Sequence, residues 1–331
     1  EQLSPEVRLD LARGLARVGQ FDEALQLTTD LLRESRYANF GSGMDAHLDS
    51  LARWAPARLE TAMARLLETP NMTGTKLALI HYYRGLSREM SGDSTGALSE
   101  YDTARLDAGQ GRYAAEAAYR WALVRMRTAE RPADILETRQ AVGAGRNVPD
   151  PEVATRASEL SREVREFSDL MDAVRTRGST AAEAALRAAE IAGANLGARR
   201  VARGLYLQYL SLAPESPWRA KAIAGVLAYA DARAGNWAGD QGSSTDERLR
   251  GELSGLPADD PYRVSLQNLA RNPAIDSAYV DAERDLRRRL VEIRMLYDTT
   301  AVLVQPGDTA AAGQAADEAG NDEAEPERPE I

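Results

Sequence analysis

Residues 85–104 read Gly-Leu-Ser-Arg-Glu-Met-Ser-Gly-Asp-Ser-Thr-Gly-Ala-Leu-Ser-Glu-Tyr-Asp-Thr-Ala, and this stretch decides the fold. Gly92 and Asp93 form a turn signal between two runs of helix-compatible residues. Small residues stand at Gly85, Ala97 and Ala104, with Tyr101 among them, as two closely crossing helices require.

Outward from this stretch the same anchor returns, a turn glycine followed five residues later by alanine. Gly19 with Ala24 and Gly197 with Ala202 match Gly92 with Ala97. Nine residues after each glycine stand Thr28, Tyr101 and Tyr206, and Pro214 stops the last helix. At the N-terminus Ser4 suits a helix cap, Pro5 the first helical position and Glu6 the positive end of the dipole. Val7, Leu11, Leu15 and Val18 then recur at helical spacing up to Gly19, and Phe21, Ala24, Leu25, Thr28, Leu31 and Leu32 share a second stripe. Two amphipathic helices joined by so short a turn make an antiparallel hairpin.

The pattern resembles the tetratricopeptide repeat, a helix-turn-helix of about 34 residues. Its small and aromatic places are matched by Gly85, Ala97, Tyr101 and Ala104, and more loosely around Gly19 and Gly197. The resemblance implies an all-α, right-handed superhelix of antiparallel pairs over residues 1–234, with degenerate pairs at 38–73 and 110–178. Residues 205–227, Leu-Tyr-Leu-Gln-Tyr-Leu-Ser-Leu-Ala-Pro-Glu-Ser-Pro-Trp-Arg-Ala-Lys-Ala-Ile-Ala-Gly-Val-Leu, are similar to tetratricopeptide proteins of bacterial envelopes, the outer-membrane assembly lipoproteins and cell-division coordinators. In that segment Pro214 stops one helix, Ser216 caps the next and Pro217 opens it.

Beyond Tyr229 the pattern changes. Gly235–Thr245 reads as a loop, and a weak helix follows, broken by Pro257 and Pro261. Ile275, Ala278, Tyr279, Ala282, Leu286, Leu290, Ile293 and Tyr297 trace a long amphipathic helix, expected to close the solenoid within a segment 235–304. From Gln305 eight acidic residues stand against Arg328 alone, and 305–331 is expected to be a disordered acidic tail.

Composition bounds the chemistry. The net charge of −10 falls largely on that tail, so the near-neutral body argues against a nucleic-acid-binding face. With no cysteine there is no disulfide, thiolate metal site or thiol nucleophile. Gly92-Asp93-Ser94-Thr95-Gly96 imitates the surroundings of a serine-protease nucleophile and His81 lies close in sequence, but the motif coincides with the turn of the best repeat. His47 and His81 lack the spacing of a zinc enzyme, and Gly41-Ser42-Gly43 and Gly143-Ala144-Gly145 are too short to cradle phosphate. No cofactor is expected.

Function follows from shape at this stage. The expected concave face would present His81, Arg84 and Arg88 to a protein or peptide, and Arg284, Arg287, Arg288 and Arg294 form a second candidate partner-binding stripe. The reading is a non-enzymatic scaffold, exported and acting at a bacterial cell envelope. Membrane association is expected only through a lipid anchor or a partner outside the chain. The alternative is a helical-repeat hydrolase, or a piece of a longer protein whose active domain lies upstream; a deep pocket with converging carboxylates would favour the hydrolase.

Overall fold

A computed structural model describes residues 3–34, 41–70, 74–107, 111–148 and 151–268. The described residues are all-α, with no strand among them. Glu1–Pro257 form one compact unit, and the rest belongs to a second.

The first hairpin is built from α1 (Pro5–Arg17) and α2 (Phe21–Arg33). Ser4 Oγ accepts the Val7 N–H at 3.4 Å, Pro5 occupies the first turn and Glu6 faces the dipole. Gly19 ends α1 with φ +82°, a left-handed conformation that costs a residue with a Cβ. Its N–H reaches Ala16 O and the Gln20 N–H reaches Leu15 O, the two bonds of a Schellman cap. The same cap recurs where α5 (Thr75–Met90) meets α6 (Ser94–Asp107). Gly92 has φ +83°, its N–H reaches Glu89 O, and Asp93 N–H reaches Arg88 O.

At the third anchor α11 (Ala181–Glu190) runs into a π-helical turn at Ile191–Asn195 before Gly197, φ +66°, turns the chain into α12 (Arg199–Leu212). Ala24, Ala97 and Ala202 are all fully buried at the crossings that follow. A Cβ on Gly85 would lie 2.6 Å from the Tyr101 ring, so helix α5 approaches α6 as far as a bare backbone allows.

Between the anchored hairpins lie α3 (Gly41–Trp54), α4 (Pro56–Leu67), α7 (Arg112–Arg127), the short α8 (Pro132–Glu137) and α9 (Arg139–Ala144), and α10 (Pro151–Thr176). Helix α10 has 26 residues against 13 in α1, which interrupts the regular pairing where the sequence pattern fades. Packing is mostly between sequence neighbours: α5 lies on α4, α6, α3 and α7, and α12 lies on α11 and α13 (Arg219–Ala228). One apolar core runs from Leu9 to Val124 through Leu31, Leu51, Met63, Tyr83 and Tyr101.

Three expectations change. On α1 the buried side is Leu9, Ala12 and Ala16, while Val7, Leu11 and Val18 are 49%, 44% and 72% exposed. Small alanines bring α1 close to its neighbours, so the side with two alanines and one leucine faces inward. Ser216 does not cap α13 directly, because the helix begins at Arg219 after a turn. Its hydroxyl accepts the Trp218 N–H at 3.2 Å and bonds the Tyr209 hydroxyl, tying the end of α12 to the start of α13.

The third change comes at Pro261, beyond residues 235–254, which carry the expected loop and weak helix. They hold a short 3-10 turn at Asn236–Ala238 and helix α14 (Ser243–Ser254), and they belong to the first compact unit. Helix α14 packs on α13. In the second unit Pro261 opens rather than breaks a helix, α15 (Pro261–Asn268), where Asp260 Oδ1 accepts the N–H groups of Tyr262 and Arg263. The closing helix expected at 275–297 and the tail at 305–331 lie outside the described residues. No described helix is long and apolar enough to cross a membrane.

Candidate functional site

Helices α3, α5 and α7 carry the densest polar chemistry. Tyr82, Tyr83, Tyr101 and Tyr113 form a buried cluster with ring centroids 5.0 to 6.4 Å apart. Asp45 on α3 accepts the Tyr113 hydroxyl at 2.5 Å and lies 2.7 Å from the Arg112 guanidinium, which also binds Glu116 at 2.7 Å. Tyr83 donates to Asp49 at 3.2 Å. Burial pushes the Asp49 and Glu116 carboxyls above their ordinary values and nearby Asp45 adds to it, while Tyr83 and Arg112 pull each back. These groups link α3 to both α5 and α7.

The candidate partner-binding residues on α5 lie elsewhere and are engaged within the chain. His81 Nδ1 is 2.8 Å from Glu100 Oε2; Arg84 reaches Glu60 at 3.2 Å and Glu100 at 3.0 Å; Arg88 reaches Glu60 at 3.2 Å. Together they tie α5 to α4 and α6. The protease-like motif is a capping turn: Asp93 Oδ1 accepts the Gly96 N–H at 2.8 Å, while the His81 ring is held by Glu100. The stripe Arg284, Arg287, Arg288 and Arg294 falls outside the described residues.

Shallow grooves also open on the surface of the described residues. One of about 570 Å³ lies between α1 and α3, lined by Arg13, Arg17, Ala46, His47, Ser50 and Trp54. At its back Thr28 gives its single hydroxyl proton to Ala24 O at 2.6 Å, so at the 2.9 Å contact the His47 Nε2–H is the donor. Burial, with Arg13 nearby, holds the His47 pKa down at about 4, and the ring is neutral at pH 7. A second groove, of about 530 Å³ between α2 and α4, is walled mainly by polar side chains including Arg33, Arg58 and Arg65.

A third, about 700 Å³, lies between α7 and α9. Its walls are Ala114, Ala115 and Ala118 on one side and Ala141 and Ala144 on the other. Leu106, 66% exposed, stands at its edge, and Arg105, Gln140 and Asn147 rim it. Arg105 is held by Asp102 and lies 4.5 Å over the Trp121 ring, which fixes that rim. Alanines on both walls let a third backbone approach closely. Sequence reading passed over this groove, because alanines in helices look like ordinary helix formers; their recurrence at 114, 115 and 118 was the available signal.

Among the described residues no group of three His, Asp or Glu side chains is placed to hold a metal ion. No family model matches the chain, and neither a characterised protein nor a solved structure matches it.

Proposed function

We propose that the chain is a non-enzymatic, tetratricopeptide-type scaffold that receives an apolar helix or extended segment of a partner protein in the alanine-walled groove between α7 and α9. The observation that carries the reading is that groove, large, open and apolar at its base, with an exposed leucine and polar groups at its rim. The Schellman-capped hairpins and the Gly85–Tyr101 contact support a repeat of the tetratricopeptide type. The carboxylates that converge at Asp45, Asp49 and Glu116 sit on a tyrosine core and bond to it, which suits a structural clamp.

The test pairs crosslinking capture from the native organism with two surface variants, Leu106→Asp and Ala115→Glu. Both should abolish capture of the partner while leaving the melting temperature unchanged. Capture that survives both variants, or turnover of a substrate by the purified chain, would sink the reading.

A further inference from the structure

The side of α1 that carries Val7, Leu11 and Val18 is turned away from the core, while Leu15 is half-buried against it. Val7, Leu11, Gly14 and Val18 follow one another at intervals of four, three and four residues along α1 and its C-cap, and all are exposed. Such spacing keeps one line along a helix, and it is the line on which a second helix packs. A Cβ on Gly14 would meet nothing within 4 Å, so the middle of the stripe has a notch at the level of the backbone. An exposed apolar line of this length marks an association surface.

The charges beside the stripe say what covers it. Glu6, Asp10, Arg13 and Arg17 run along one flank, two acids followed by two bases. Arg13 is held by Asp10 at 3.2 Å and by Gly43 O at 2.6 Å. Glu6 and Arg17 are exposed, and neither has a partner among the described residues. In an antiparallel pair of identical helices the same flank faces itself in reverse order. Acids then meet bases along the whole flank.

We infer that the exposed face of α1 binds a second copy of this chain through an antiparallel, two-fold α1–α1 contact centred on Leu11. Leu11 meets Leu11 of the partner subunit, Val7 enters the notch at Gly14 of the partner subunit, and Glu6 pairs with Arg17 of the partner subunit. One helix face per copy gives an interface at the small end of the specific range, and the dimer forms with a dissociation constant on the order of micromolar.

Sedimentation of the full chain across a concentration series should show reversible doubling of the 36.0 kDa mass. Val7→Glu should raise the dissociation constant by about tenfold or more through the lost apolar contact. Glu6→Arg and Arg17→Glu should each weaken the dimer about fivefold, and combining them should restore it. The absence of cysteine gives a test of register. Leu11→Cys should crosslink two chains on oxidation, whereas Val18→Cys should not, because two-fold symmetry sets its copies about 20 Å apart along the axis. A monomer at every concentration, a dimer indifferent to Val7→Glu, or equal crosslinking from both cysteines would overturn the proposal. All the substituted side chains are exposed, so the fold is not at stake in any arm.

Discussion

From α1 to α7 the chain is held by local devices: a left-handed glycine with a buried alanine five residues on at two hairpins, and Tyr101 resting on Gly85. From α12 to α14 the central device is a buried charge. Arg203 is fully buried and donates to Asp240 at 2.7 and 2.9 Å, to Asp246 at 2.8 Å and to Val226 O at 2.9 Å. The guanidinium, followed by the N–H groups of Ala234 and Gly242, holds the Asp240 pKa down at about 2. Trp237 lies so close over Gly204 that a Cβ there would come within 2.3 Å of its ring, and its Nε1 donates to Glu130 O. The distal region depends on one loop closing over one arginine.

That contrast can be broken most decisively at Arg203. Arg203→Ala leaves Asp240 and Asp246 buried without their cation and should cost about 3–5 kcal/mol. Hydrogen exchange should show the loss concentrated in α12–α14, and equal loosening of α1–α7 would erase the distinction. In the stack the matching probe is Gly85→Val, which drives a branched side chain into the Tyr101 ring. It should cost about 3 kcal/mol, read by urea melting, with α12–α14 still protected.

A smaller effect comes from His47. Its pKa falls from 6.5 to about 4 on folding, so the unfolded chain takes up the proton first. The His47 contribution is therefore full above about pH 6.5 and is lost as pH falls toward 4. Between pH 7 and pH 4.5 the stack should lose about 2 kcal/mol more than a His47→Asn variant, measured by urea melts at both pH values. The smallest probe is Asp93→Ala, which removes the cap on Gly96 N–H and should cost about 1 kcal/mol in thermal melts. A cost near that of Gly85→Val would mean that capping, not close packing, governs the hairpin.

How much of the site was legible follows the same division. His81, Arg84 and Arg88 were visible as polar residues on one side of α5, but their partners Glu60 and Glu100 sit on other helices and were not. The groove between α7 and α9 depends on two alanine faces about 25 residues apart in sequence converging in space, and helical periodicity carries no record of that.

By itself the sequence determined the helices and their turns. Gly19, Gly92 and Gly197 must adopt positive φ, Ala24, Ala97 and Ala202 must be small, and Pro214 must end a helix, because these constraints act within one turn of backbone. Tertiary structure alone decided which side of α1 faces the core, which charges are satisfied, and why Arg203 can be buried at all. Its partners lie 37 and 43 residues away, and an ion pair depends on distance through space, not along the chain.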